Sequence, residues 1–357
     1  MNLPLILSAL VLTAPQDGAL VTTLGETRKA YLSASRSERW LRMDNKADRV
    51  KLMADSSYQT PVKLQWNGPS NDVYELVITP EGGDEECFAL TNRNSAYVTN
   101  LEIGRKYRWM VRRESNGETA SASFTTEPDP PRLLFAAGVG NFRDTGGWTV
   151  SGGRRVRQNL LFRSAGLRDS SRGSGGLFSR KIEVGLPRVV PAGIATLRED
   201  FKIKTEIEVR FQHETAGMNS SVLGPGVRWE AIPFVAYDFI DNVIRGREPF
   251  AKIFAVLADR KNYPVLIHCS GGRDRTGTLV FLLNGLLGVS EDDLCRDWEA
   301  SIFSVGTMGF KSDRIQRLLD YLKTMPGDSL KDRIESYVKS CGVSPAEISA
   351  FRSIMLE

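Results

Sequence analysis

The sequence predicts an α/β domain, with a central sheet flanked by helices, preceded by a small all-β sandwich. Short runs in which apolar and polar residues alternate fill residues 53–127, as in half-buried strands. Residues 133–357 instead alternate between short strand signals and longer helix signals, which is typical of a sheet covered by helices. Residues 128–132 hold three prolines, so we predict a stiff linker between the two regions.

The first 52 residues precede the predicted sandwich. Leu3 to Leu12 is an apolar run of signal-peptide length followed by small residues, so we predict an export signal over residues 1–19. The alternative is a buried N-terminal strand or helix. Residues 20–52 are polar, with a helix signal near Glu26 to Arg42, and we assign them no role. No later run is apolar for long enough to span a membrane.

The predicted sandwich consists of half-buried strands separated by turn residues. Its clearest strand signals are Val62–Trp66, Val73–Ile78 and Tyr107–Val111. Trp66, followed later by Leu101-Glu-Ile-Gly-Arg-Lys-Tyr107, resembles the fibronectin type III pattern, in which a leucine and a later tyrosine flank a turn into a core strand. The resemblance implies a two-sheet module, for which we expect a protein or glycan partner.

The predicted α/β domain has a definite order of elements. Strand signals lie at Glu206–Val209, Trp229–Ile232 and Pro264–His268, and helix signals at Pro249–Leu257 and Thr276–Leu287. In the tail, Ser290 to Asp293 and Ser344 to Glu347 are capping boxes, and each predicts a helix start. An insert rich in Gly, Ser and Arg, residues 170–191, is predicted to be a surface loop.

Composition limits the chemistry and the partners. The chain of 357 residues carries 47 basic and 43 acidic residues, a surplus too small to argue for nucleic acid or an anionic membrane. Its four cysteines are far apart, with no Cys-x-x-Cys pair, and its only histidines are His213 and His268. This supply excludes a multi-histidine metal centre and argues against zinc, so we expect no metal and no cofactor.

One segment combines a cysteine, a glycine pair and arginines: His268-Cys-Ser-Gly-Gly-Arg-Asp-Arg-Thr-Gly277. A buried strand delivers Cys269 to the carboxyl edge of the sheet, where open α/β folds bind ligands. Gly271 and Gly272 let the backbone turn its N–H groups inward, and we predict that Ser270 binds substrate with them. Because a helix begins just after this loop, its positive end faces the same point, and a phosphoryl dianion fits there.

Cysteine can act as a nucleophile in this setting. Only the thiolate attacks, and a helix N-terminus, converging N–H groups and a guanidinium all stabilise it. Arg275 follows six positions after Cys269, and its planar fork can hold two phosphoryl oxygens, which lysine cannot do. We expect Thr276 to donate its hydroxyl to the sulfur and His268 to support the loop by hydrogen bonding. The alternative is a buried, inert cysteine.

These residues resemble a known family. HCxxGxxRTG is the signature loop of the protein tyrosine phosphatase superfamily, and the Asp before the Arg resembles the atypical bacterial tyrosine phosphatases. The segments Asn141–Gly147 (NFRDTGG), Leu161–Ser164 (LFRS) and Phe201–Arg210 resemble other family motifs. The resemblance extends over about residues 134–320. It implies a cysteine-phosphatase fold and a phosphocysteine intermediate formed without a metal.

Two positions depart from the family pattern. Arg273 stands where the family usually has lysine, which keeps the charge, changes the shape and would suit a polyanionic substrate. Glu208 stands where the family has aspartate, at a position that we interpret as structural.

The general acid that protonates the leaving oxygen is left open among three carboxylates. The resemblance to the bacterial branch points first to Asp274, within the loop itself. Asp238 comes second and Asp241 third, as upstream aspartates of the kind used in other branches; their alternative is a helix N-cap. Asp144 could orient Arg275, line the pocket or cap a turn.

The sequence therefore predicts a cysteine-dependent phosphomonoester hydrolase. A protein tyrosine or dual-specificity phosphatase comes first, and a phosphoinositide or inositol phosphate phosphatase second, so the substrate is a phosphorylated protein or a phosphoinositide. We expect a periplasmic or secreted protein if the N-terminal signal acts, and otherwise a cytoplasmic one. Two other classes are a phospho-ligand-binding module without turnover and a sulfur transferase with a rhodanese-like loop, which suits the Arg-Thr-Gly helix start less well.

Overall fold

The computed structural model describes residues 10–54, 60–83, 86–167, 189–215, 217–235, 246–304 and 311–357. The chain forms two compact units. The first comprises Met1–Gly25 and Gln59–Asp129, and the second comprises Glu26–Tyr58 and Pro130–Glu357. The last boundary falls inside the predicted linker. The assignment of residues 26–58 to the second unit differs from the sequence prediction, which left most of them without a role.

In its described residues, the first unit contains eight strands in two sheets. These are β1 (Val11–Ala14), β2 (Ala19–Val21), β3 (Val62–Asn67), β4 (Tyr74–Pro80), β5 (Glu86–Thr91), β6 (Ser95–Val98), β7 (Lys106–Arg113) and β8 (Thr119–Thr126). The strand orders are β1-β3-β6 and β2-β8-β7-β4-β5. Neighbouring strands are antiparallel except β2 and β8, which are parallel. Buried residues of both sheets, including Trp66 and Trp109, form one hydrophobic cluster.

Alternation of side chains explains these strands. Successive residues of β7 alternate between the buried core and the outer face, as expected for a strand with one face covered. Tyr107 stacks on Phe124 at 5.6 Å between ring centroids, and its hydroxyl accepts a hydrogen bond from the N–H of Glu102 at 2.8 Å. The three clearest strand signals correspond to β3, β4 and β7. The resemblance to fibronectin type III modules stays a prediction.

Part of the predicted export signal lies in this unit. Residues Val11 to Ala14 form β1, which pairs with β3 at the edge of the smaller sheet. Residues 1–9 lie outside the described residues, and export stays a prediction. Cleavage after residue 19 would remove β1 from the sheet. Within the described ranges, no helix has the length and apolar character needed to cross a bilayer.

The second unit is built on a five-stranded sheet. Its strands are β9 (Arg143–Asp144), β10 (Leu161–Ala165), β11 (Thr205–Glu208), β12 (Arg228–Ala231) and β13 (Val265–Cys269), in the order β12-β11-β13-β10-β9. β13 lies in the middle and runs parallel to both β10 and β11, whereas β9 is antiparallel to β10. Every residue of β13 is buried, as expected of a central parallel strand.

Helices surround this sheet. They are α1 (Glu26–Ser33), α2 (Arg36–Asp44), α3 (Lys46–Ala54), α4 (Pro191–Ala195), α5 (Arg247–Leu257), α6 (Asp274–Leu287), α7 (Glu291–Glu299), α8 (Ser312–Lys323), α9 (Leu330–Ser340) and α10 (Pro345–Met355). Both predicted helix starts are confirmed, and of the two only Ser344 has the full capping box. Ser290 accepts from the N–H of Asp293 at the start of α7, and Ser344 forms a capping box with Glu347 at the start of α10.

The polar N-terminal segment forms three helices of the second unit. The single helix signal near Glu26 to Arg42 corresponds to α1 and α2, which are separated because Ser35 caps α2 in a capping box. α3 continues to Ala54, past the predicted start of the sandwich at residue 53. Tyr31, Leu32, Met43 and Leu52 are buried and join the main core cluster of the second unit.

Candidate active site

The central strand of the second unit delivers Cys269 to the sheet edge. Cys269 is the last residue of β13, and α6 begins at Asp274, so Ser270–Arg273 form a short loop between strand and helix. The cysteine is in no disulfide and is 2 % exposed. The predicted strand, loop and helix are confirmed.

Glycine is required at position 272. Gly272 has a φ of +64°, and a Cβ there would lie 2.1 Å from the carbonyl oxygen of Ser164. In the described part of the chain, no group accepts from the backbone N–H of Ser270, Gly271 or Gly272. A concave backbone with unpaired N–H groups is a favourable place for an anion.

The carbonyl groups of the loop are held from outside. The Nδ2 of Asn141 donates to the Gly271 carbonyl at 2.9 Å, and the guanidinium of Arg163 donates to the Gly272 carbonyl at 2.7 Å. Both donors belong to segments that resemble family motifs. Because its carbonyls are fixed in this way, the loop has its binding shape before a ligand arrives.

A buried carboxylate on α7, that of Asp297, holds these donors in place. It accepts from Nε of Arg143 at 2.9 Å and also from Arg163, while its backbone carbonyl accepts from Arg143 at 2.7 Å. Burial opposes its ionisation, but the charges of the two arginines outweigh burial and lower the pKa of Asp297. The loop is therefore supported by a second set of charged groups, and no pattern in the sequence indicated this support.

The guanidinium of Arg275 is gripped by Glu214. Its two terminal nitrogens donate to the carboxylate at 2.6 and 2.8 Å, and one of them also donates to Oγ of Ser270 at 3.1 Å. Among the described residues, Nε of Arg275 has no hydrogen-bond partner. The predicted fork is therefore occupied on one side, and phosphoryl oxygens would use the edge that contains Nε.

Glu214 was not predicted from the sequence. It ends a short 3-10 turn after β11, and it also accepts from the N–H of Phe211 at 2.9 Å. Burial opposes its ionisation, but the hydrogen bonds and charge of Arg275, with smaller help from Phe211 and Ser270, lower its pKa to about 2. The one signal available was an acidic residue just beyond a strand that ends at the same sheet edge as Cys269.

We expect the Glu214 carboxylate to make stability depend on pH. Its folded-state pKa lies below that of an unfolded glutamate, so its contribution is fully present above about pH 5 and is lost as pH falls through the folded value of about 2. The melting temperature of wild type should exceed that of Glu214→Gln above pH 5, and the difference should narrow from pH 5 to pH 3. A difference that stays constant over this range would contradict the assignment.

His268 lies between two buried glutamates. Its Nε2 is 2.8 Å from Oε1 of Glu206, and its Nδ1 is 3.6 Å from Oε2 of Glu208. Glu208 also grips the guanidinium of Arg210 through both oxygens. His268 thus supports the end of the strand beneath Cys269, and Glu208 has the structural position that the sequence suggested.

The same three side chains, Glu206, Glu208 and His268, form the group within the described ranges whose ligand atoms lie close enough together for a metal ion. Their carboxylate oxygens already accept from His268, from Ser221 and from Arg210. A guanidinium on a carboxylate opposes a second cation there. The set therefore fits a buried ion-pair network better than a metal centre.

Asp274 opens α6 and is held by two arginines. Arg273 donates to it at 2.8 Å and Arg314 at 3.1 Å. Burial opposes ionisation, but these two charges outweigh burial and lower the pKa of Asp274. In this state the side chain is an anion with no proton to give, and it neutralises the charge that Arg273 would add to the loop.

Two predicted site residues do not make the contacts that were expected of them. The Oγ1 of Thr276 is buried and, among the described residues, has no hydrogen-bond partner, so the expected bond to sulfur is not made. Asp144 accepts from Arg132 at 2.8 Å and from the N–H of Gly146 at 2.8 Å. Asp144 therefore caps a turn and does not contact Arg275, because β9 is separated from β13 by β10.

Three further predictions concern residues that lie outside the described ranges. Asp238 and Asp241 lie outside the described residues, as does most of the predicted surface loop at residues 170–191. Their roles stay predictions.

Comparisons with known proteins support one family for the second unit. A family model described as "Tyrosine phosphatase family" matches residues 134–357. A protein of Cupriavidus necator, whose name gives it provisionally as a tyrosine-protein phosphatase, is 31% identical over 169 residues. That match covers 45% of this chain and 59% of the relative, so the chain spans less than two thirds of the relative's length.

One solved structure is also similar. It is the core catalytic domain of the PP-IP phosphatase SIW14 from S. cerevisiae in complex with citrate, with 15% identity and a TM-score of 0.27. The match covers 46% of this chain and 90% of that one. At such a TM-score the likeness carries no conclusion about substrate.

Proposed function

Since the chain belongs to the tyrosine phosphatase family, we propose that it hydrolyses phosphate monoesters through a phosphocysteine at Cys269. The observation that carries this proposal is the set of donors that directly follow Cys269 in the chain: the unpaired N–H groups of Ser270–Gly272 and the Nε edge of Arg275. Donors fixed in advance stabilise the charge of a phosphoryl group without reorganisation. They supply the positive field for which other phosphatases use metal ions.

In the proposed reaction the loop holds the phosphoryl group with phosphorus facing Sγ of Cys269. The thiolate attacks, the S–P bond forms, and the bond from phosphorus to the leaving oxygen breaks. The leaving oxygen takes a proton from a carboxylic acid. Water then gives a proton to the same carboxylate and attacks the phosphocysteine; the S–P bond breaks, inorganic phosphate leaves, and both the thiolate and the carboxylic acid are restored.

The proton donor is proposed to be Asp274, with Asp238 and Asp241 as the alternatives in that order. Arg273 and Arg314 stabilise the anion of Asp274 when no ligand is bound. Asp274 can therefore act as an acid only after one of these arginines has turned away from it, for example toward the phosphate. If neither arginine moves, one of the upstream aspartates must donate the proton.

An aromatic pair beside Arg275 supports aryl phosphates as substrates. The ring of Phe211 lies 5.9 Å from the guanidinium carbon of Arg275, and 37% of the residue is exposed. It stacks on His213 at 5.8 Å with an angle of 8° between the planes. A flat apolar surface next to the phosphate-gripping side chain offers a wall for the ring of phosphotyrosine.

Phosphotyrosine in a protein is therefore the substrate that we place first, in keeping with the name of the C. necator relative. Phosphoserine, phosphothreonine, phosphoinositides and inositol phosphates remain alternatives. The positive charge of Arg273 was one argument for the polyanionic substrates, the phosphoinositides and inositol phosphates. Its pairing with Asp274 weakens that argument.

Initial rates on a phosphotyrosine peptide, a phosphoserine peptide and an inositol phosphate, with and without EDTA, test this proposal. We expect rates that EDTA does not change, with the tyrosine peptide fastest. Phe211→Leu should lower kcat/KM for the tyrosine peptide by about 10-fold, because stacking is lost, and change the serine peptide by less than about 3-fold. Tyr97→Leu, at an exposed aromatic of the first unit, is the control.

Three outcomes would contradict parts of this proposal. Activity that disappears with EDTA but survives Cys269→Ser would refute the mechanism. Binding of phosphate without turnover would make the protein a phospho-ligand-binding module. Equal losses on both peptides in Phe211→Leu would refute the aromatic wall.

We also propose export to the periplasm or the cell exterior, and a protein or glycan partner for the first unit. The apolar run at Leu3–Leu12 supports export. Mass spectrometry of the N-terminus after expression tests it, and an uncleaved protein would contradict it.

A further inference from the structure

Helices α1–α3 lie outside the family match, which begins at residue 134, yet they pack into the core of the second unit. Tyr31, Met43 and Leu52 are fully buried in the same cluster as the residues of α6 and α7. Tyr31 meets Phe303 edge to face at 5.6 Å. The segment therefore completes the hydrophobic core that carries the loop, although the family model matches only residues 134–357.

A buried polar contact joins α2 to α7. Arg39 is fully buried, and its Nε donates to Oε2 of Glu299 at 2.5 Å while NH2 donates to Asp292 at 2.6 Å. The other oxygen of Glu299 accepts from Nε1 of Trp40 at 2.7 Å. Both ends of α7 are thus tied to α2, and both oxygens of Glu299 are occupied by side chains of α2.

Helix α7 also supports the loop Ser270–Arg273. Asp297 lies two positions before Glu299 in α7, and it fixes Arg143 and Arg163. Arg163 in turn donates to the carbonyl of Gly272 in the loop. A continuous chain of hydrogen bonds and one helix therefore leads from Arg39 to the backbone that would bind phosphate.

We propose that Arg39 is a positioning residue for the phosphate-binding loop, acting through Glu299 and α7 on the Asp297 contacts. The proposal rests on the proposed function of the loop. A buried ion pair is weak evidence for stability, but removal of one partner leaves the other uncompensated and forces its surroundings to adjust. Since Glu299 and Asp297 share one helical turn, such an adjustment moves the groups that set the loop's shape.

The test uses the full chain and measures phosphate binding as well as turnover. The variants are Arg39→Gln, the double variant Arg39→Gln/Glu299→Gln, and Lys51→Gln as a control for charge removal at an exposed site on the same helical segment. All are assayed well below their unfolding transitions, with the folded fraction followed by circular dichroism. The Kd of inorganic phosphate is measured by calorimetry.

We expect Arg39→Gln to weaken phosphate binding and lower kcat/KM per folded molecule by on the order of 10-fold, with no change in Lys51→Gln. The double variant should recover much of this loss, because it removes both charges and leaves two amides that can pair. A folded Arg39→Gln protein with wild-type phosphate affinity would overturn the proposal and leave the helices with a purely stabilising role.

A milder variant decides the matter if Arg39→Gln does not fold. Trp40→Phe keeps an aromatic side chain, although a smaller one, and removes the hydrogen bond to Glu299, and it should raise the phosphate Kd by about 3-fold. An unchanged Kd in that variant would overturn the proposal. Wild-type protein that binds phosphate without turnover would refute the proposed function alone, because the phosphate Kd still reports the position of the loop.

Discussion

Replacement of Cys269 by serine should abolish turnover while phosphate binding persists. The serine hydroxyl is a far weaker nucleophile than the sulfur of cysteine, so kcat for an aryl phosphate should fall by a factor on the order of 10⁴ or more. The loop N–H groups and Arg275 remain, so the Kd for inorganic phosphate should stay within about 3-fold of wild type. Stopped-flow or steady-state rates and calorimetry measure the two effects.

Cys341→Ser provides the matched control. Cys341 is a half-buried thiol at the C-cap of α9, and burial raises its pKa to about 11. Its replacement should leave kcat unchanged. If Cys269→Ser kept a tenth of the wild-type kcat, or if Cys341→Ser lost as much, Cys269 would not be the nucleophile.

Arg275→Lys should also lower activity strongly, although less than Cys269→Ser and despite keeping the charge. Lysine cannot make the forked contact with Glu214 and present a second edge to the phosphoryl group at the same time. We expect kcat/KM to fall by about 10²- to 10³-fold and phosphate binding to weaken. Competitive inhibition by inorganic phosphate and initial rates on an aryl phosphate provide the measurement.

Arg317→Lys makes the same chemical change on α8, where Arg317 is about half exposed and pairs with Asp313. It should leave both quantities unchanged. An Arg275→Lys enzyme within about 3-fold of wild type would show that charge alone, without the planar fork, is sufficient at this position.

Local patterns explain why the loop could be predicted. An apolar run, a glycine pair and an apolar helix are all read within about 20 consecutive residues, and the structure has β13, the loop and α6 at those positions. The caps at Ser290 and Ser344 are equally local, since each depends on a side chain and an N–H group three residues away. Position 272 needed glycine for a reason that only the fold reveals, namely the carbonyl of Ser164.

Long-range polar contacts explain what could not be predicted. Glu214 meets Arg275 across 61 positions, and Asp297 meets Arg143 across 154, so no window of sequence contains both partners. Asp144 was expected near the pocket because it lies in a motif. Its neighbour Arg132 decides its role, and the position of that arginine depends on how the chain enters the second unit. Pairing between charges that are distant in the sequence is determined by the fold and produces no periodic pattern in the sequence.

The long stretch of sequence between α1–α3 and α7 affects how the second unit folds during synthesis. Arg39 and Glu299 are 260 positions apart, and β3–β8 of the first unit are synthesised between them. While the ribosome is still translating that stretch, α1–α3 have left the exit tunnel with their apolar side chains uncovered. Closing so long a loop adds little to the equilibrium entropy cost but slows folding. Nascent chains of this protein should therefore depend on chaperones until α7 has emerged.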